Sequence, residues 1–504
     1  MNTRIAKNTL MLYMRMFLTV IVGLYTSRVI LNTLGFSDYG IYNVVGGMVS
    51  MLAFLNVGLA GASQRFISFS LGKGDTNELK KVFCTSVITH VTLALIVAII
   101  LESVGLWFLN CKMNIPADRM SAANWVFQFS ILTMMVSIMS VPYNSCIIAH
   151  EKMSTFAYIG IFETLAKLSI AFCIAYTSCD KLILYSLLLV LLQVLIRLIY
   201  SIYCRRHFEE CIFRYRFDKK LFREMFSFAG WSCIGNMGFT LKDQCSNVIL
   251  NLFYGTTVNA ARGIATQVNA IVSQFASNFT MAMNPQIVKS YAAGNISESR
   301  KLSYEGSKYA FYLLSCISIP IIINIQYILK FWLGNVPEYT NEFVIIIILC
   351  SIIYSLTHTI STSILATGKV KTFQTLLAFI LLMELPLSYV IILMGIKPYY
   401  ALIPGIFTNF ATLVMRIILL HKMIPEYSLK DYLYRIVLRC LIVLGIGFTC
   451  SICIRGLFGE NIFAVITSSG LSFIMVCIII YTIGLTTNER YKILSIIKKK
   501  IKKG

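Results

Sequence analysis

The decapeptide "GKGDTNELKK" at residues 72–81 returns 220 positions later as "AAGNISESRK" at residues 292–301. Each copy contains a Gly that suits the left-handed turn at a helix end. Each then places Asp75 or Asn295 where its side chain caps the next helix, with a Glu three residues later at the spacing of a capping box. A basic pair closes both copies. The sequence therefore predicts the same junction between two helices twice.

Two further matches extend the similarity beyond this junction. They are "VILN" at 29–32 and 248–251, and "IAHEKMSTF" at 148–156 with "LATGKVKTF" at 365–373. Because the three offsets, 219, 220 and 217, are nearly equal, the sequence indicates an internal duplication. The repeated unit covers roughly residues 1–205 and 220–425.

The composition is that of a membrane protein. Of the 504 residues, 57% are hydrophobic and 13% are charged, and the mean hydropathy is +0.75. Soluble domains carry about 25% charged residues. A net charge of +22 could indicate nucleic-acid binding, but the basic residues lie in short gaps between apolar runs and not on a soluble domain. No nucleic-acid partner is predicted.

Fourteen apolar runs are long enough to span a bilayer as helices, which need roughly 20 residues each. They cover residues 9–31, 41–62, 82–109, 122–149, 155–177, 181–203, 224–252, 257–283, 309–332, 343–366, 372–395, 398–420, 436–456 and 462–485. The alternating pattern of a barrel strand is nowhere sustained. Because Arg15 interrupts the first run and no convincing cleavage site follows it, we expect that run to be a retained helix and not a signal peptide.

The basic residues predict the orientation. With the N-terminus inside, the inner segments hold about 30 Lys and Arg residues, the outer loops about 4 and the helices about 10. Basic residues near helix ends stay cytoplasmic, so both termini are predicted to be cytoplasmic.

The predicted fold class is an all-α integral membrane protein with about 14 helices, built from two parallel six-helix repeats that form two lobes, plus two C-terminal helices. The predicted domains are an N-terminal lobe (1–205), a basic linker (206–223), a C-terminal lobe (224–425), two added helices (426–487) and a basic tail (488–504). Each repeat holds an even number of helices, so both repeats start inside. Parallel repeats of this kind are typical of secondary transporters, with the substrate at the seam.

Charged residues at membrane depth are candidates for function. The candidates for lining a cavity or coupling to an ion are Glu163, Lys167, Asp243 and Glu384. Glu163 and Lys167 share a helix face and can pair, so a structural role and a cavity role both remain open. Lys242 and Asp243 are adjacent and point about 100° apart, so each is expected to need a partner on another helix.

Three arginines and one lysine are the candidates for binding an anion: Arg15, Arg28, Arg262 and Lys242. The fork of donors on Arg suits phosphate oxygens, and the helices carry more bases than acids, which favours an anionic substrate. Snorkelling to the membrane surface is the competing interpretation for Arg15 and Arg28. It is the preferred one for Lys330, Arg416, Arg439 and Arg455, which lie near helix ends.

The remaining polar candidates favour packing over chemistry. His90 and His358 are predicted to be packed, with a proton relay as the alternative. Cys450 and Cys453 form a C-x-x-C that lacks further ligands, so no metal site and no catalytic site are predicted.

Two stretches carry a family resemblance. "LGFSDYGIYNVVGGMVSMLAFLNVGLAGASQRFISFSLGKGD" (34–75) resembles the start of polysaccharide flippases of the O-antigen (Wzx) type. "LKDQCSNVILNLFYGTTVNAARGIATQVNAIVSQF" (241–275) resembles the matching part of their second half. These flippases belong with multidrug (MATE) exporters and lipid II flippases in one superfamily. The resemblance covers most of residues 1–425.

The resemblance implies a flippase of the bacterial inner membrane. It would turn undecaprenyl-diphosphate-linked oligosaccharide repeat units from the inner to the outer face for O-antigen, lipopolysaccharide or capsule assembly, with a polysaccharide polymerase as a partner. In lipid II flippases, arginines of the first and eighth helices line a cationic cavity, and Arg15, Arg28 and Arg262 stand at comparable places. Asn, Gln and Ser of residues 257–283 would provide polar lining for the sugars.

The energy source is left open between H⁺ and Na⁺. No G-x-x-x-x-G-K-[ST] loop occurs, so no nucleotide cofactor is expected.

The first alternative to a flippase is a MATE-like proton- or sodium-coupled antiporter of small molecules. Such antiporters tend to carry an acid in the first helix of a half, whereas the first two predicted helices contain no Asp or Glu. A membrane enzyme is disfavoured because the longest outer loop, 110–121, has only about a dozen residues; a scaffold without transport is the remaining alternative.

Overall fold

The computed structural model of the chain describes residues 3–50, 52, 54–113, 115–212, 218–333, 336–459 and 461–491. For some residues of the first, second and eighth helices, Arg28 among them, it describes the backbone alone. The described residues form α-helices joined by short turns and contain no β-strand. The chain divides into two compact units, Ala6–Asn236 and Met237–Gly504 with Met1–Ile5. The predicted all-α fold is confirmed.

Eighteen α-helices are numbered here in chain order. The first eight are α1 (Thr3–Ser50), α2 (Phe54–Lys73), α3 (Thr76–Ile100), α4 (Leu106–Lys112), α5 (Met120–Ala149), α6 (Met153–Ala175), α7 (Lys181–His207) and α8 (Lys219–Ala292). The others are α9 (Ile296–Ile323), α10 (Ile325–Leu333), α11 (Thr340–Ser355), α12 (His358–Thr367), α13 (Lys371–Leu382), α14 (Glu384–Leu393), α15 (Pro404–Met423), α16 (Leu429–Tyr432), α17 (Leu438–Gly456) and α18 (Ile462–Ile479).

Among the described residues, nine helical segments are long and apolar enough to cross a membrane. A tenth arises if α11 and α12, which meet at a bend of 41°, form one span. These ten correspond to ten of the fourteen predicted spans. The other four, 9–31, 41–62, 224–252 and 257–283, fall on α1, α2 and α8, and the run 41–62 takes in the end of α1 and the start of α2, with residues 51 and 53 outside the described part.

Two long helices each contain a change of direction. In α1, Gly35 interrupts the helical backbone with φ 77° and ψ 171°, which separates the first predicted span from the second. In α8, Arg262 Nη2 lies 2.7 Å from Asp243 Oδ1. A straight helix would separate residues 19 positions apart by about 28 Å at 1.5 Å per residue. The axis of α8 therefore folds back between them, as two antiparallel spans require.

The repeated decapeptide forms the predicted junction in both halves. Gly74 and Gly294 adopt positive φ angles of 76° and 79°. Asp75 Oδ1 then accepts hydrogen bonds from the backbone N–H groups of Asn77 and Glu78 at 2.9 and 3.0 Å. Asn295 Oδ1 accepts one from the N–H of Glu298 at 3.4 Å. The left-handed turns and both helix caps are confirmed.

A pair of parallel helices occurs in the N-terminal unit and again in the C-terminal unit. Along α1 and α6 the contacts ascend together, from Arg15 against Phe156 to a 3.3 Å hydrogen bond between Thr19 and Thr164. In the C-terminal unit, Lys242 of α8 contacts Glu384 of α14, and Phe253 lies 5.7 Å, ring to ring, from Tyr389. The first helix of each half thus runs alongside the fifth, as a parallel duplication requires.

The ninth span begins earlier than the sequence predicted. The apolar run suggested a start at residue 309, but α9 begins at Ile296. Its first turns carry small polar residues, and Ser299, Ser303 and Ser307 are buried there. Because hydropathy counts such residues as polar, it misplaced this end.

The last two spanning helices belong to the C-terminal unit and pack on α9. Tyr312 Oη donates to the carbonyl of Gly484 at 3.0 Å, and Asn324 Nδ2 donates to Ser469 Oγ at 2.9 Å. Lys308 and Glu489 form a buried ion pair of 2.5 Å just beyond α18. Residues 492–504, most of the predicted basic tail, and 213–217 of the predicted linker lie outside the described part.

Candidate transport site

Arg15 lies in α1, within the predicted span 9–31, and packs against α6. Its guanidinium carbon is 4.4 Å from the centre of the Phe156 ring. A Cβ atom added at Gly160 would lie 2.2 Å from its Nε, so only glycine leaves room for this side chain. Among the described residues, no carboxylate forms a salt bridge with Arg15. The guanidinium therefore packs on an aromatic face.

The predicted pair on α6 forms. Lys167 Nζ lies 2.6 Å from Glu163 Oε1, and the two side chains are 47% and 29% exposed. Gly160, against which the Arg15 side chain packs, lies three residues before Glu163 on the same helix. The structure therefore brings Arg15, Glu163 and Lys167 into one charged region of the N-terminal unit.

In the C-terminal unit, Arg262 is buried and paired. Its side chain is 5% exposed, and its Nη2 donates to Asp243 Oδ1 at 2.7 Å. Its Nη1 donates to Asn247 Oδ1, while Nε has no partner among the described residues. Asp243 thus finds its partner on the next predicted span, 257–283, as expected, and that span forms the folded-back arm of α8.

Lys242 finds its partner on another helix, as predicted. Its Nζ lies 3.2 Å from Glu384 Oε2, with the two side chains 15% and 5% exposed. The same carboxylate oxygen accepts a hydrogen bond from Thr408 Oγ1 at 2.9 Å. Gly405 makes room for the carboxylate, because an added Cβ would lie 3.2 Å from Glu384 Oε1. The result is an ammonium–carboxylate pair at membrane depth with a hydroxyl donor beside it.

A cavity of about 270 Å³ opens among α1, α2, α5 and α7 of the N-terminal unit. Its polar lining is uncharged and consists of Tyr42, Asn56, Ser130, Thr133, Ser137, Ser186 and Gln193. The hydroxyls of Ser130, Thr133 and Ser186 donate to backbone carbonyls of their own helices at 2.7–3.0 Å. Their hydrogens are thus in use, and their oxygens face the cavity as acceptors.

Sequence reasoning missed this cavity and expected a polar lining from residues 257–283 instead. Single Ser and Thr residues in apolar helices are common and give no periodic signal of their own. Only the packing of two separate helices, α5 and α7, brings these hydroxyls together.

The two histidines lie inside the fold. His90 is 1% exposed and its Nδ1 lies 2.8 Å from the carbonyl of Ser86, while its Nε2 has no partner among the described residues. His358 packs edge-on against Tyr354, with 5.1 Å between the ring centres. Neither contact reaches the charged clusters described above. The side chain of Arg28 lies outside the described part.

Arg416 corrects a sequence-based interpretation. Snorkelling was expected for it, but the structure buries it to 1% exposure within α15. Its guanidinium carbon lies 5.5 and 5.7 Å from the ring centres of Tyr354 and Phe373, and its Nε and Nη1 have no hydrogen-bond partner among the described residues. A residue's position near a helix end in the sequence does not tell whether neighbouring helices cover that end and bury the side chain.

Two family models match the chain. The model described as "Polysaccharide biosynthesis protein" matches residues 5–291, more than half of the chain. The chain belongs to this family. The model "MatE" matches residues 232–390. No protein with curated annotation matches at a significant level.

Several solved structures share the fold. One is described as "Crystal structure of MATE in complex with MaD3S". It has a TM-score of 0.72 and 12% sequence identity, and the match covers 83% of this chain and 96% of that chain. Another is an outward-facing conformation of a multidrug resistance MATE family transporter of the MOP superfamily, with a TM-score of 0.71, 12% identity and coverage of 84% and 96%. A MOP superfamily transporter from Pyrococcus furiosus has a TM-score of 0.70, 11% identity and coverage of 82% and 95%.

The polysaccharide biosynthesis family and the shared fold place the chain among the membrane transporters of the MOP superfamily. Identities of 11–12% carry the fold alone. The family match at 5–291 includes α1 through α8, and with them Arg15, Lys242, Asp243 and Arg262. Glu384 lies outside that match and inside the MatE match.

Proposed function

We propose that this transporter flips undecaprenyl-diphosphate-linked oligosaccharide repeat units from the inner to the outer face of a bacterial cytoplasmic membrane. The product would feed O-antigen or capsule assembly, and the two lobes would alternate in access. The observation that carries the proposal is Arg15, a membrane-depth guanidinium without a described carboxylate partner, in a chain of the polysaccharide biosynthesis family.

The diphosphate needs positive charge to cross a low-dielectric core. In this proposal Arg15 and Arg28 supply it from the N-terminal lobe, and Arg262 and Lys242 from the C-terminal lobe. Arg15 is available as it stands. Arg262 is neutralised by Asp243, and Lys242 is neutralised by Glu384. The two basic residues would therefore bind phosphate only after these ion pairs have broken.

The sugars would enter the uncharged cavity of the N-terminal lobe. Its hydroxyl oxygens accept hydrogen bonds, and the hydroxyls of a sugar donate them. The buried Oδ1 of Asn56 has no partner among the described residues and adds a further acceptor. The volume of about 270 Å³ is near the lower limit of small-molecule pockets, which suits one sugar unit.

Coupling to H⁺ or Na⁺ would use the buried acids. Protonation of Glu384 or Asp243 would release Lys242 or Arg262 as a free cation, which links proton uptake to the anion site. Glu163 and Lys167 would act in the same way in the N-terminal lobe.

The second candidate is a MATE-like cation-coupled antiporter of small molecules. The MatE match over residues 232–390 and the shared fold favour it. It predicts cationic or apolar substrates, whereas the flippase predicts an anion, and Arg15 favours the anion.

Flipping can be tested with purified protein in liposomes. Undecaprenyl-diphosphate oligosaccharide from a host that lacks the protein would be incorporated, and its sugars at one face read with an impermeant oxidant under imposed proton, sodium or electrical gradients. Wild-type protein should move the sugars between faces. Arg15→Ala should slow this at least tenfold.

Gly160→Ala gives an independent variant, because the new methyl group displaces the Arg15 side chain while the arginine is retained. It should slow flipping as well. Gly61→Ala is the matched control, since its added Cβ meets nothing within 4 Å. Wild-type liposomes that never exchange the lipid-linked sugar under any gradient, but exchange organic cations, would overturn the proposal in favour of antiport.

A further inference from the structure

A cluster of soft and hard metal ligands lies at the end of α5 and just after α7, and it includes none of the charged candidates above. Cys146 is in the last turn of α5, and His150 follows that helix. Glu210 and Cys211 form the single turn Glu209–Cys211 that follows α7. The end of α5 therefore presents a thiol and an imidazole, and the turn after α7 presents a carboxylate and a thiol.

The ligand atoms are already close together. Those of Cys146, His150 and Glu210 all lie within 4.8 Å of one another. Glu210 Oε1 is 2.5 Å from His150 Nε2 and 3.6 Å from Cys146 Sγ. Cys211 Sγ lies 3.5 Å from Cys146 Sγ. Cys204, which lies next to Cys211, has its Sγ 3.6 Å from the carbonyl of Tyr143.

The cluster is buried and its imidazole is held in place. Cys146 and Cys211 are 0% exposed and Glu210 is 5% exposed. The His150 ring stacks on Phe208, with 4.0 Å between the ring centres and 10° between the planes. Stacking of this kind fixes the orientation of a ligand ring, as a metal site requires.

The set of donors matches zinc. Zn²⁺ takes Cys sulfur at 2.3 Å, His nitrogen at 2.0–2.1 Å and carboxylate oxygen at 2.0–2.2 Å in tetrahedral sites. A tetrahedron with those bond lengths has edges of about 3.4–3.8 Å between ligand atoms. The sulfur–sulfur and sulfur–oxygen distances of 3.5 and 3.6 Å already fit. His150 and Glu210 must part by about 1 Å, so that the ion replaces their hydrogen bond, and the Cys211 side chain must move toward both of them.

We propose that Cys146, His150, Glu210 and Cys211 bind one zinc ion that ties the end of α5 to the turn after α7. Binding replaces the thiol protons of Cys146 and Cys211, so two protons are released for each ion bound. All four positions are filled by protein, which makes the site structural. It is independent of the transported substrate.

Sequence analysis could not find this site. Cys146 and His150 form a C-x₃-H that is common on helices, and the other two ligands come 60 residues later. Only the packing of α5 against α7 joins them.

The test is metal binding by the full chain, purified in detergent with a tag that contains no histidine run. Zinc content would be measured by elemental analysis, and cobalt substitution by absorption, because thiolate-bound tetrahedral Co²⁺ gives charge-transfer and intense d–d bands. Wild type should hold one zinc per chain, and a chelator should lower its unfolding temperature.

The double variant Cys146→Ser/Cys211→Ser should lose the zinc and the cobalt charge-transfer band. The matched control is Cys450→Ser/Cys453→Ser, which removes the two thiols of the C-x-x-C and should retain both signals. Glu210→Gln is a milder change that should weaken zinc binding at least tenfold in chain that stays monodisperse. Wild-type protein without bound zinc or a cobalt–thiolate band, or equal zinc content in Cys146→Ser/Cys211→Ser, would overturn the proposal.

Discussion

The basic residues that are predicted to lie at membrane depth differ in whether a carboxylate pairs with them. Lys242 and Glu384 neutralise each other on neighbouring helices, and Arg262 is neutralised by Asp243. Arg15 lies against an aromatic ring without such a described partner. The paired groups hold the C-terminal unit together, while no carboxylate of the described residues pairs with Arg15.

The Lys242–Glu384 pair should show the asymmetry of buried ion pairs. Breaking one partner leaves an uncompensated charge and costs about 3–5 kcal/mol, whereas replacing both partners is close to neutral. We expect Lys242→Met to lower the free energy of unfolding by about that amount, and Lys242→Met/Glu384→Gln to recover most of the loss. A denaturant titration in detergent measures both. Equal losses in the single and double variants would contradict the pairing.

The sequence predicted which residues are charged at membrane depth but only some of their partners. Glu163 and Lys167 were paired correctly because four residues on one helix fix their distance. The sequence placed the partner of Asp243 on another span without naming it, and the structure identifies it as Arg262 of the following span. Arg416 was taken for a surface residue because helix packing decides its burial.

Helix ends were predictable where the chemistry is local. The junctions at Asp75 and Asn295 follow from a turn residue and a cap three residues before Glu, and both were confirmed. Spans were predictable because lipid demands long apolar helices. The cap at Asn295 marked the start of α9 correctly, but the apolar run placed the start of the span at residue 309 because the buried serines of the first turns read as polar. Packing between elements leaves no such local signature.

The two caps should contribute similar stability. Removing an N-cap acceptor costs about 1 kcal/mol, so Asp75→Ala should speed hydrogen exchange of the Asn77 and Glu78 amides by about fivefold. Asn295→Ala should do the same at the start of α9. Asn461→Ala is the matched control, since Asn461 precedes α18 without a side-chain cap bond, and it should change exchange little. A uniform response of all three sites would refute the assignment of the caps.

A cluster at the ends of three helical segments should make stability depend on pH. Arg119, just before α5, lies 2.5 Å from Asp38 and 2.7 Å from Asp180, which caps α7. Burial alone would raise the pKa of the Asp180 carboxyl, but hydrogen bonds from Arg119 and from the backbone hold that pKa below its ordinary 3.8.

A carboxyl group whose pKa is lowered in the folded state stabilises the fold when the pH is above its ordinary pKa. This stabilisation is lost as the pH falls through the lowered pKa. Asp180→Asn removes the charge and keeps an oxygen for the cap. The unfolding temperature of Asp180→Asn should therefore lie below that of wild type at pH 6, and the two should converge below about pH 3.8. A difference that stays constant through this range would show that the carboxylate charge is not what stabilises the cluster.

At the scale of the whole molecule, the excess of basic residues predicts how the chain sits in the membrane. About 30 of the 44 Lys and Arg residues lie on one predicted side and about 4 on the other. Because both repeats have an even number of helices, one orientation satisfies the rule for both halves at once. This agreement between halves is what a parallel duplication predicts, and it makes the orientation testable at two exposed positions.

Cys179 is exposed in the turn before α7, on the predicted outer side. Lys369 is exposed in the turn between α12 and α13, on the predicted inner side. In spheroplasts of cells that make Lys369→Cys, an impermeant maleimide should label Cys179 at once and the new thiol only after lysis, as read by mass spectrometry of the two peptides. The reverse pattern would invert the topology, and with it the direction in which the transporter delivers its substrate. Labelling of both thiols in intact spheroplasts would place the two turns on one side, and the six-helix parallel repeat would then be wrong.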